Sequence, residues 1–177
     1  MKDIYIVISQ TGTLLSTILK IVTGKEYNHA SISLDSNLDN MYSFGRRNPY
    51  NPFIGVFLIE KINVGTYKRF SNTRCKVIRI RVTFDQYNLI LFKLREMTND
   101  IDKYKYNVLG LFLAAINVNL HRNNRFYCSE FVRYILDCAD VDVSMIPEIV
   151  HPVDFLDMNN GYVIYEGLLR NFPQSLR

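Results

Sequence analysis

The sequence has too few cysteines to build a disulfide framework. Its 177 residues include three, Cys75, Cys128 and Cys138, an odd number without a closely spaced pair. Small secreted domains that depend on disulfides are much richer in cysteine. The sequence therefore predicts free thiols in a protein of a reducing compartment.

The chain also has little of what membrane insertion or export requires. Its longest apolar run, residues 108–118, is interrupted by Asn117 and is much shorter than the roughly 20 residues that span a bilayer. The first residues carry an acid, Asp3, and include no long apolar region or small-residue cleavage site. These absences predict a cytoplasmic protein that does not insert stably into a membrane.

Neither sign of charge dominates. The chain has 21 Lys and Arg residues against 17 Asp and Glu residues, a formal net charge of +4. Basic residues are scattered, apart from the pair Arg46 and Arg47 and the strand-like segment 76–81. Nucleic-acid-binding proteins usually concentrate basic side chains on one face. The sequence therefore predicts no nucleic-acid partner, and a basic adaptor that uses these two clusters is one of three functional hypotheses.

Tryptophan is absent, but other apolar residues are plentiful. Hydrophobic residues make up 48% of the chain, including 12 Tyr and 11 Phe. A chain of this length and composition can bury a sizeable core. No internal repeat, low-complexity tract or linker divides the sequence. We therefore expect a single globular domain over residues 1–177.

Hydrophobic periodicity predicts an α+β fold. Alternating or β-branched segments predict strands at residues 4–9, 27–35, 41–44, 53–59, 74–83 and 161–166. Helical spacing predicts helices at residues 14–22, 84–101, 108–118 and 128–139, with shorter helical segments within 61–72 and at 151–156. This order favours a mostly antiparallel sheet packed against helices.

Cys128 is the first candidate for a chemical role. Polar residues precede it, and the apolar positions that follow it at helical spacing are Phe131, Val132, Ile135, Leu136 and Ala139. Cys128 is therefore expected in the first turn of an amphipathic helix, on its buried side. Free backbone N–H groups and the helix dipole at that position favour a thiolate over a thiol. A thiolate of this kind is a common nucleophile, although a buried cysteine can also be a small core residue.

His29 is the best candidate for the base that such a nucleophile needs. It lies on the predicted strand 27–35, on the same face as Ser31 and Ser33. Small side chains on that face allow another element to approach the imidazole closely. The alternative is a half-buried histidine that forms only local hydrogen bonds.

The other two histidines are weaker candidates. His121 lies in a polar connector, and His151 precedes a proline in a predicted loop. A zinc site built from Cys128, His121 and His151 matches no familiar spacing of zinc ligands. The sequence therefore predicts no metal and no other cofactor.

Together the two motifs resemble NlpC-like, papain-fold cysteine hydrolases. Residues 27–35 resemble the histidine strand of that family, and residues 126–132 resemble its nucleophile helix. The histidine precedes the cysteine, the reverse of papain, so the resemblance is to the circularly permuted branch with its YiiX-like and lecithin–retinol acyltransferase-like proteins. It implies a papain-like fold with a mostly antiparallel sheet and a nucleophile at a helix N-terminus.

Carried over residue by residue, the resemblance makes Cys128 the nucleophile and His29 the general base and later acid. The family's third polar residue usually comes from the next strand, where the matching position is Ser43. A serine can accept an imidazole N–H but does not stabilise an imidazolium as a carboxylate does. Glu60, at the end of a later strand, is an alternative without positional support.

Three further residues are candidates for the pocket around this pair. The N–H of Cys128 is expected to form half of an oxyanion hole, and Gln10, in the turn before the first helix, is the proposed second donor. Tyr27 and Tyr127 flank the catalytic candidates. They are expected to wall the pocket, to donate a hydrogen bond or to pack in the core.

The resemblance implies a thiol-dependent hydrolase or acyltransferase. It would act on a small-molecule, peptide or lipid amide or ester through an acyl-thioester on Cys128. The second hypothesis is that the fold is kept while catalysis is lost, so that the protein binds a ligand or another protein. Ser43, in place of a stronger orienting residue, motivates that alternative.

Overall fold

A computed structural model describes residues 1–12, 14–46 and 55–173. Arg47 and the side chain of Arg46, on which the basic-adaptor hypothesis partly rests, lie outside the described residues. In the other basic segment, Lys76 pairs with Glu166 at 3.2 Å and Arg81 pairs with Asp3 at 3.6 Å.

A six-stranded sheet with antiparallel neighbours forms the centre of the molecule. Its strands are β1 (Lys2–Gln10), β2 (His29–Ser33), β3 (Met41–Arg46), β4 (Gly55–Glu60), β5 (Arg74–Val82) and β8 (Gly161–Leu168). They lie in the order β4-β3-β2-β1-β5-β8. A separate parallel pair is formed by β6 (Lys105–Tyr106) and β7 (Arg125–Phe126). The α+β class and the mostly antiparallel sheet are thus confirmed.

Five α-helices accompany the sheet in the described part of the chain. They are α1 (Leu14–Thr23), α2 (Gly65–Arg69), α3 (Phe84–Asn99), α4 (Val108–Ala115) and α5 (Cys128–Asp137). Short 3₁₀ helices occur at Ile101–Lys103, Pro152–Asp157 and Leu169–Asn171. No helix among the described residues is long and apolar enough to cross a membrane.

One face of the sheet packs against α3 and α5 to form the larger core. Apolar side chains from β1 and β5 interleave there with the buried stripe of α5. At its centre, the ring of Phe131 lies 5.4 Å from that of Phe44 and 5.6 Å from that of Phe57, both in edge-on arrangements. Such pairs contribute beyond the area they bury. This packing fixes α5, and with it Cys128, against the strands.

The opposite face of the sheet is buried by smaller elements. Tyr5 and Val7 of β1 pack there with Tyr67 of α2 and with Leu169 and Phe172 near the end of the chain. The small hydroxyl side chains of β2 are also buried. Both faces of β2 are therefore covered. His29 is the first residue of β2 and so lies at the end of this covered strand.

Several predicted boundaries differ from the structure. The predicted helix at 108–118 ends at Ala115, because Asn117 adopts a left-handed backbone with φ of 60°. The predicted strand at 27–35 is observed only over His29–Ser33, and it ends at Ser33 because the Asp35 carboxylate accepts the N–H groups of Asn37 and Asp39 and turns the chain. The two-residue strands β6 and β7 were not predicted, since they carry no periodic signal.

The contribution of the aromatic cluster can be measured. Phe131→Ala is expected to lower the free energy of unfolding by about 3–5 kcal/mol, because Phe131 is fully buried and its removal leaves a cavity. Phe92→Ala is the matched control, since Phe92 is 68% exposed on α3 and should change stability by no more than about 0.5 kcal/mol. Equal effects of the two substitutions in denaturant titrations would contradict this description of the core.

Candidate active site

Cys128 is the first residue of α5, as the sequence predicted. The helix starts here because Tyr127 is extended, with φ of −93° and ψ of 172°. The Glu130 carboxylate then accepts the Tyr127 N–H at 3.2 Å, as in a capping box. Cys128 is a free, buried cysteine. Its own N–H lies in the first helical turn, where no intrahelical acceptor is available.

The helix N-terminus meets the start of β2. The Cys128 Sγ lies 3.9 Å from the carbonyl oxygen of Asn28, a residue 100 positions earlier in the chain. The next residue is His29, and its interaction with Cys128 is one of the causes that raise the pKa of the imidazole. The structure thus brings together the two residues that the sequence motifs singled out.

Glu60 completes the group on the other side of the imidazole. The His29 Nε2 lies 2.9 Å from Glu60 Oε2 and 3.1 Å from Oε1. The two side chains are 16% and 11% exposed. The Tyr67 hydroxyl donates a further hydrogen bond to Glu60 Oε2 at 3.3 Å. Because Nε2 is occupied by the carboxylate, Nδ1 is the ring nitrogen left to exchange a proton with the thiol.

The carboxylate makes His29 a strong base. Burial by itself lowers the pKa of His29, because it disfavours the charged ring. The charge of Glu60, the hydrogen bonds to its carboxylate and the interaction with Cys128 outweigh burial and raise the pKa of His29 to about 10. An imidazolium is therefore the stable form of His29 at neutral pH, and it can balance the charge of a neighbouring thiolate.

The structure does not place Ser43 at the imidazole. The Ser43 hydroxyl is fully buried and donates to the carbonyl oxygen of Ala30 at 2.7 Å. It therefore ties β3 to β2, and the residue that contacts His29 Nε2 is Glu60. The prediction of Ser43 as the orienting residue is corrected in favour of the carboxylate.

Gly45 makes room for this contact. It lies on β3, the strand between β4 and β2 in the sheet. A Cβ atom at this position would lie 3.6 Å from both Glu60 Oε1 and His29 Cε1. A side chain larger than a methyl group would compete for this space, so the glycine lets the carboxylate and the imidazole meet above the backbone of β3. In the sequence, this contact is reflected only by a glycine on one strand and an acidic residue at the end of the next strand.

Gln10 has a different contact from the one predicted. Its side-chain oxygen accepts a hydrogen bond from Asn28 Nδ2, which also donates to the carbonyl oxygen of Ser16. Gln10 and Ser16 thereby hold Asn28 beside Cys128. The proposed role of Gln10 as an oxyanion donor has no support in this geometry, because its amide oxygen faces Asn28 and its side chain is absent from the described lining of the cavity at Cys128.

A polar cavity opens beside the three residues. It spans about 520 Å³ of space, which includes its opening to solvent. Most of its lining residues are polar, among them Thr11, Asn28, His29, Glu60 and Tyr106, and Leu19 and Leu111 add apolar surface beside Cys128. The thiol, the base and the carboxylate therefore all border one space that a substrate can occupy.

Tyr27 and Tyr127 lie on a second cavity rather than on the polar one. Both are buried, Tyr27 in the main core and Tyr127 in a small cluster with Leu19 and Leu111. Burial raises the pKa of Tyr27 to about 12 and raises the pKa of Tyr127 as well. Both side chains therefore remain neutral and act as walls.

The two remaining histidines have other partners. His121 Nδ1 lies 3.2 Å from Glu130 Oε1 on the surface. His151 caps a 3₁₀ helix, and burial together with the charge of Lys25 lowers its pKa. Within residues 1–12, 14–46 and 55–173, no group of three or more ligating side chains is arranged to hold a metal ion.

Comparison with known proteins does not identify this site. No protein-family model matches the chain, and no curated protein matches it. The chemistry of the site is therefore inferred from its own geometry.

The raised pKa of His29 can be tested by an NMR titration of the three histidine rings. We expect His29 to stay protonated above pH 8 in the Cys128→Ser background and to titrate at or below its usual 6.5 when Glu60→Gln is added, because burial then acts without the carboxylate. Because folding favours the imidazolium, its contribution to stability should be complete below about pH 6.5 and decline as the pH rises towards 10. A His29 titration that ignores Glu60→Gln would refute the ion pair.

The spacing at Gly45 gives a second test. Gly45→Ala should preserve the contact between His29 and Glu60, because a Cβ atom there meets its neighbours at ordinary van der Waals distances. Gly45→Val adds methyl groups that compete with the imidazole and the carboxylate for space, although valine suits a strand. We expect the valine variant, and not the alanine variant, to lower the His29 pKa by at least one unit. Equal titration curves would show that Gly45 has no such role.

Proposed function

We propose that the protein is a thiol-dependent hydrolase or acyltransferase that acts on an amide or ester. The observation that carries the proposal is the chain of contacts from Glu60 through His29 to Cys128, beside an open cavity. A nucleophile, a base and a residue that orients the base form the minimal set for acyl transfer. The order of roles follows from the contacts: Glu60 orients, His29 moves the proton and Cys128 attacks.

In the first half of the reaction, the Cys128 thiolate adds to the substrate carbonyl carbon. The N–H of Cys128 is positioned to stabilise the oxyanion at the positive end of α5. The bond to the leaving group then breaks, and the leaving group takes the proton from His29 Nδ1. The products of this half are an acyl-thioester on Cys128 and a free amine or alcohol.

In the second half, an acceptor replaces the thiol. His29, now neutral, takes a proton from water or from another acceptor, which adds to the thioester carbonyl. The carbon–sulfur bond breaks, and Cys128 returns as a thiolate beside the imidazolium. With water as the acceptor the product is a carboxylic acid, and with an alcohol or amine the enzyme is an acyltransferase.

The same geometry supports a papain-like architecture of the circularly permuted kind. A cysteine at the N-terminus of a buried helix, a histidine on an antiparallel strand and a polar third residue are the parts that the resemblance implies. The histidine strand precedes the cysteine helix in the chain, as in the permuted branch. Glu60 supplies the polar residue from β4 rather than from β3.

The hypothesis of a binding module without catalysis rested on Ser43 as a weak orienting residue. Because Glu60 lies 2.9 Å from His29 Nε2, the imidazole has a strong orienting residue and the reason for that hypothesis no longer holds. A carboxylate stabilises an imidazolium more strongly than a serine hydroxyl does. Acyl transfer is therefore the function that the site supports best.

The rate of alkylation by iodoacetamide at different pH values tests the pair. We expect Cys128 to react at pH 6 at least tenfold faster than Cys138, because the neighbouring imidazolium of His29 favours the nucleophilic thiolate. His29→Ala should abolish this advantage, since the imidazolium that stabilises the thiolate is lost. Mass spectrometry of peptides reads each cysteine separately.

The other two cysteines are internal controls for this experiment. Cys138 is exposed and serves as the reference thiol. Cys75 is buried, and burial raises its pKa to about 12, so it should react slowly throughout. If Cys128 follows the same pH profile as Cys138 in both the wild type and His29→Ala, the two residues do not form a working pair and the proposed function fails.

A further inference from the structure

A basic cavity lies beside the polar cavity of the candidate active site. It spans about 690 Å³ of space, which includes its opening to solvent, and its described lining contains two arginines and no acidic residue. We call it the basic cavity; its polar lining residues, each of which carries a side-chain hydrogen-bond donor, are Gln10, Thr11, Arg69, Ser71, Asn72 and Arg74. Positive charge together with hydrogen-bond donors is what a carboxylate or a phosphate group requires of its binding site.

The basic cavity and the polar cavity share one lining residue and one helix. Thr11 lines both cavities. Helix α2 contributes Thr66 to the polar cavity and Arg69 to the basic cavity. These two residues lie about one helical turn apart on the same side of α2. The basic cavity is therefore adjacent to the space that the thiol, the base and the carboxylate border.

The pairing of the strands gives the distance between the imidazole and the basic cavity. Ser9 of β1 is paired with His29 of β2 on one side and with Cys75 of β5 on the other. Arg74 directly precedes Cys75, so it lies at the same end of the sheet as His29, two strands away. Because neighbouring strands are about 4.8 Å apart, roughly 10 Å separates the Cα atoms of His29 and Arg74. One substrate molecule of moderate length can therefore reach both cavities.

The contacts of the two arginines are compatible with the binding of an anion. Arg74 Nη1 lies 3.6 Å from Glu26 Oε1, and these side chains are 61% and 47% exposed. An ion pair as exposed as this one contributes little to stability, so a substrate anion can compete with Glu26 for the guanidinium. Arg69 lies over the ring of Phe70, with 5.7 Å between the guanidinium carbon and the ring centroid. The aromatic ring attracts the guanidinium and so restricts the positions that Arg69 adopts at the cavity.

From this arrangement we propose that the basic cavity is a subsite for an anionic group of the substrate, a carboxylate or a phosphate. The inference rests on the proposed function, because it assigns one part of the substrate that Cys128 attacks. It narrows the substrates from amides and esters in general to those that carry a second, negatively charged group. The strand spacing places that group on the order of 10 Å from the reacting carbonyl.

Two series of synthetic esters test the subsite from either side of the bond that breaks. In the first series, p-nitrophenyl monoesters of dicarboxylic acids of increasing length carry the anion on the acyl part. In the second, acetyl esters of hydroxyphenylalkanoic acids carry the anion on the leaving group. Each compound is compared with its methyl ester, which has nearly the same length but no charge. The released phenol gives the rate, and the mass of the intact protein shows the acyl group on Cys128.

The expected result is a preference for the charged compounds. We expect kcat/KM at low salt to be about fivefold or more higher for the anionic compound than for its methyl ester in one of the two series, at the length that reaches the basic cavity. High salt should reduce this preference, because both arginines are exposed and salt screens their charges. Equal rates for the charged and methyl compounds in both series would overturn the subsite.

Variants of the two arginines identify where the anion binds. Arg69→Gln combined with Arg74→Gln should remove the preference for the charged compounds. Glu26→Gln should increase the preference, because it removes the carboxylate that competes for Arg74. Arg81→Gln is the matched control, since Arg81 lies near the other end of β5 and is 60% exposed, against 61% for Arg74. An equal loss of preference with Arg81→Gln would contradict the subsite and indicate a general effect of net charge.

Esters of equal length that end in a carboxylate or in a phosphate distinguish the two kinds of anion. A preference for either one over the methyl ester supports the subsite if the arginine variants abolish it, and the larger preference identifies the ligand. Reversal of the charge gives a further check, because Arg74→Glu should favour an ester that ends in an ammonium group. If Arg74→Glu leaves the order of preference unchanged, the inference is wrong.

Failure of this inference and failure of the proposed function give different results. If the charged and methyl compounds acylate Cys128 at the same rate, the enzyme exists and the anion subsite does not. If no compound of either series, nor p-nitrophenyl acetate, places an acyl group on Cys128, both are rejected. Circular dichroism of each variant ensures that a lost preference is not a lost fold.

Discussion

The ion pair between His29 and Glu60 is the contact on which the candidate site depends. Placing a charged imidazole in a mostly buried position is costly unless a partner compensates it. Glu60 provides that partner at 2.9 Å and is itself held by the Tyr67 hydroxyl. Without the carboxylate, burial would favour a neutral ring that could not balance a thiolate. The pair therefore determines both the orientation of the imidazole and its charge.

This contact is possible because His29 stands at the end of a strand whose two faces are both covered. The helix side of the sheet presents the thiol, since the aromatic cluster around Phe131 fixes α5 against the strands. The opposite side presents the carboxylate together with Tyr67, which belongs to the smaller core. A residue in the middle of β2 could reach one side only. The end of the strand is where groups from both sides can meet around a single ring.

The sequence predicted the parts of the site that have local signals, and it missed those that depend on tertiary contacts. Helical spacing after Cys128 and alternation around His29 are local patterns. The structure has a helix that begins at Cys128 and a strand that begins at His29, close to the predicted positions. Ser43 was chosen because it lies on the neighbouring strand, but a strand neighbour can be bonded to backbone, as its contact with Ala30 shows. Glu60 reaches His29 from two strands away, across Gly45. No periodicity encodes that approach, because it depends on how the strands pair and on a missing side chain.

The reaction itself changes the acidity of His29 in a useful direction. Burial lowers its pKa, whereas the charge of Glu60 and the contacts with Cys128 raise it. An imidazolium with so high a pKa is a weak acid while the thiolate is beside it. When the sulfur attacks a carbonyl, its negative charge passes to the substrate oxygen, and one of the causes of the raised pKa disappears. His29 thus becomes a stronger acid at the stage when the leaving group needs a proton, while Glu60 keeps the ring oriented for the transfer.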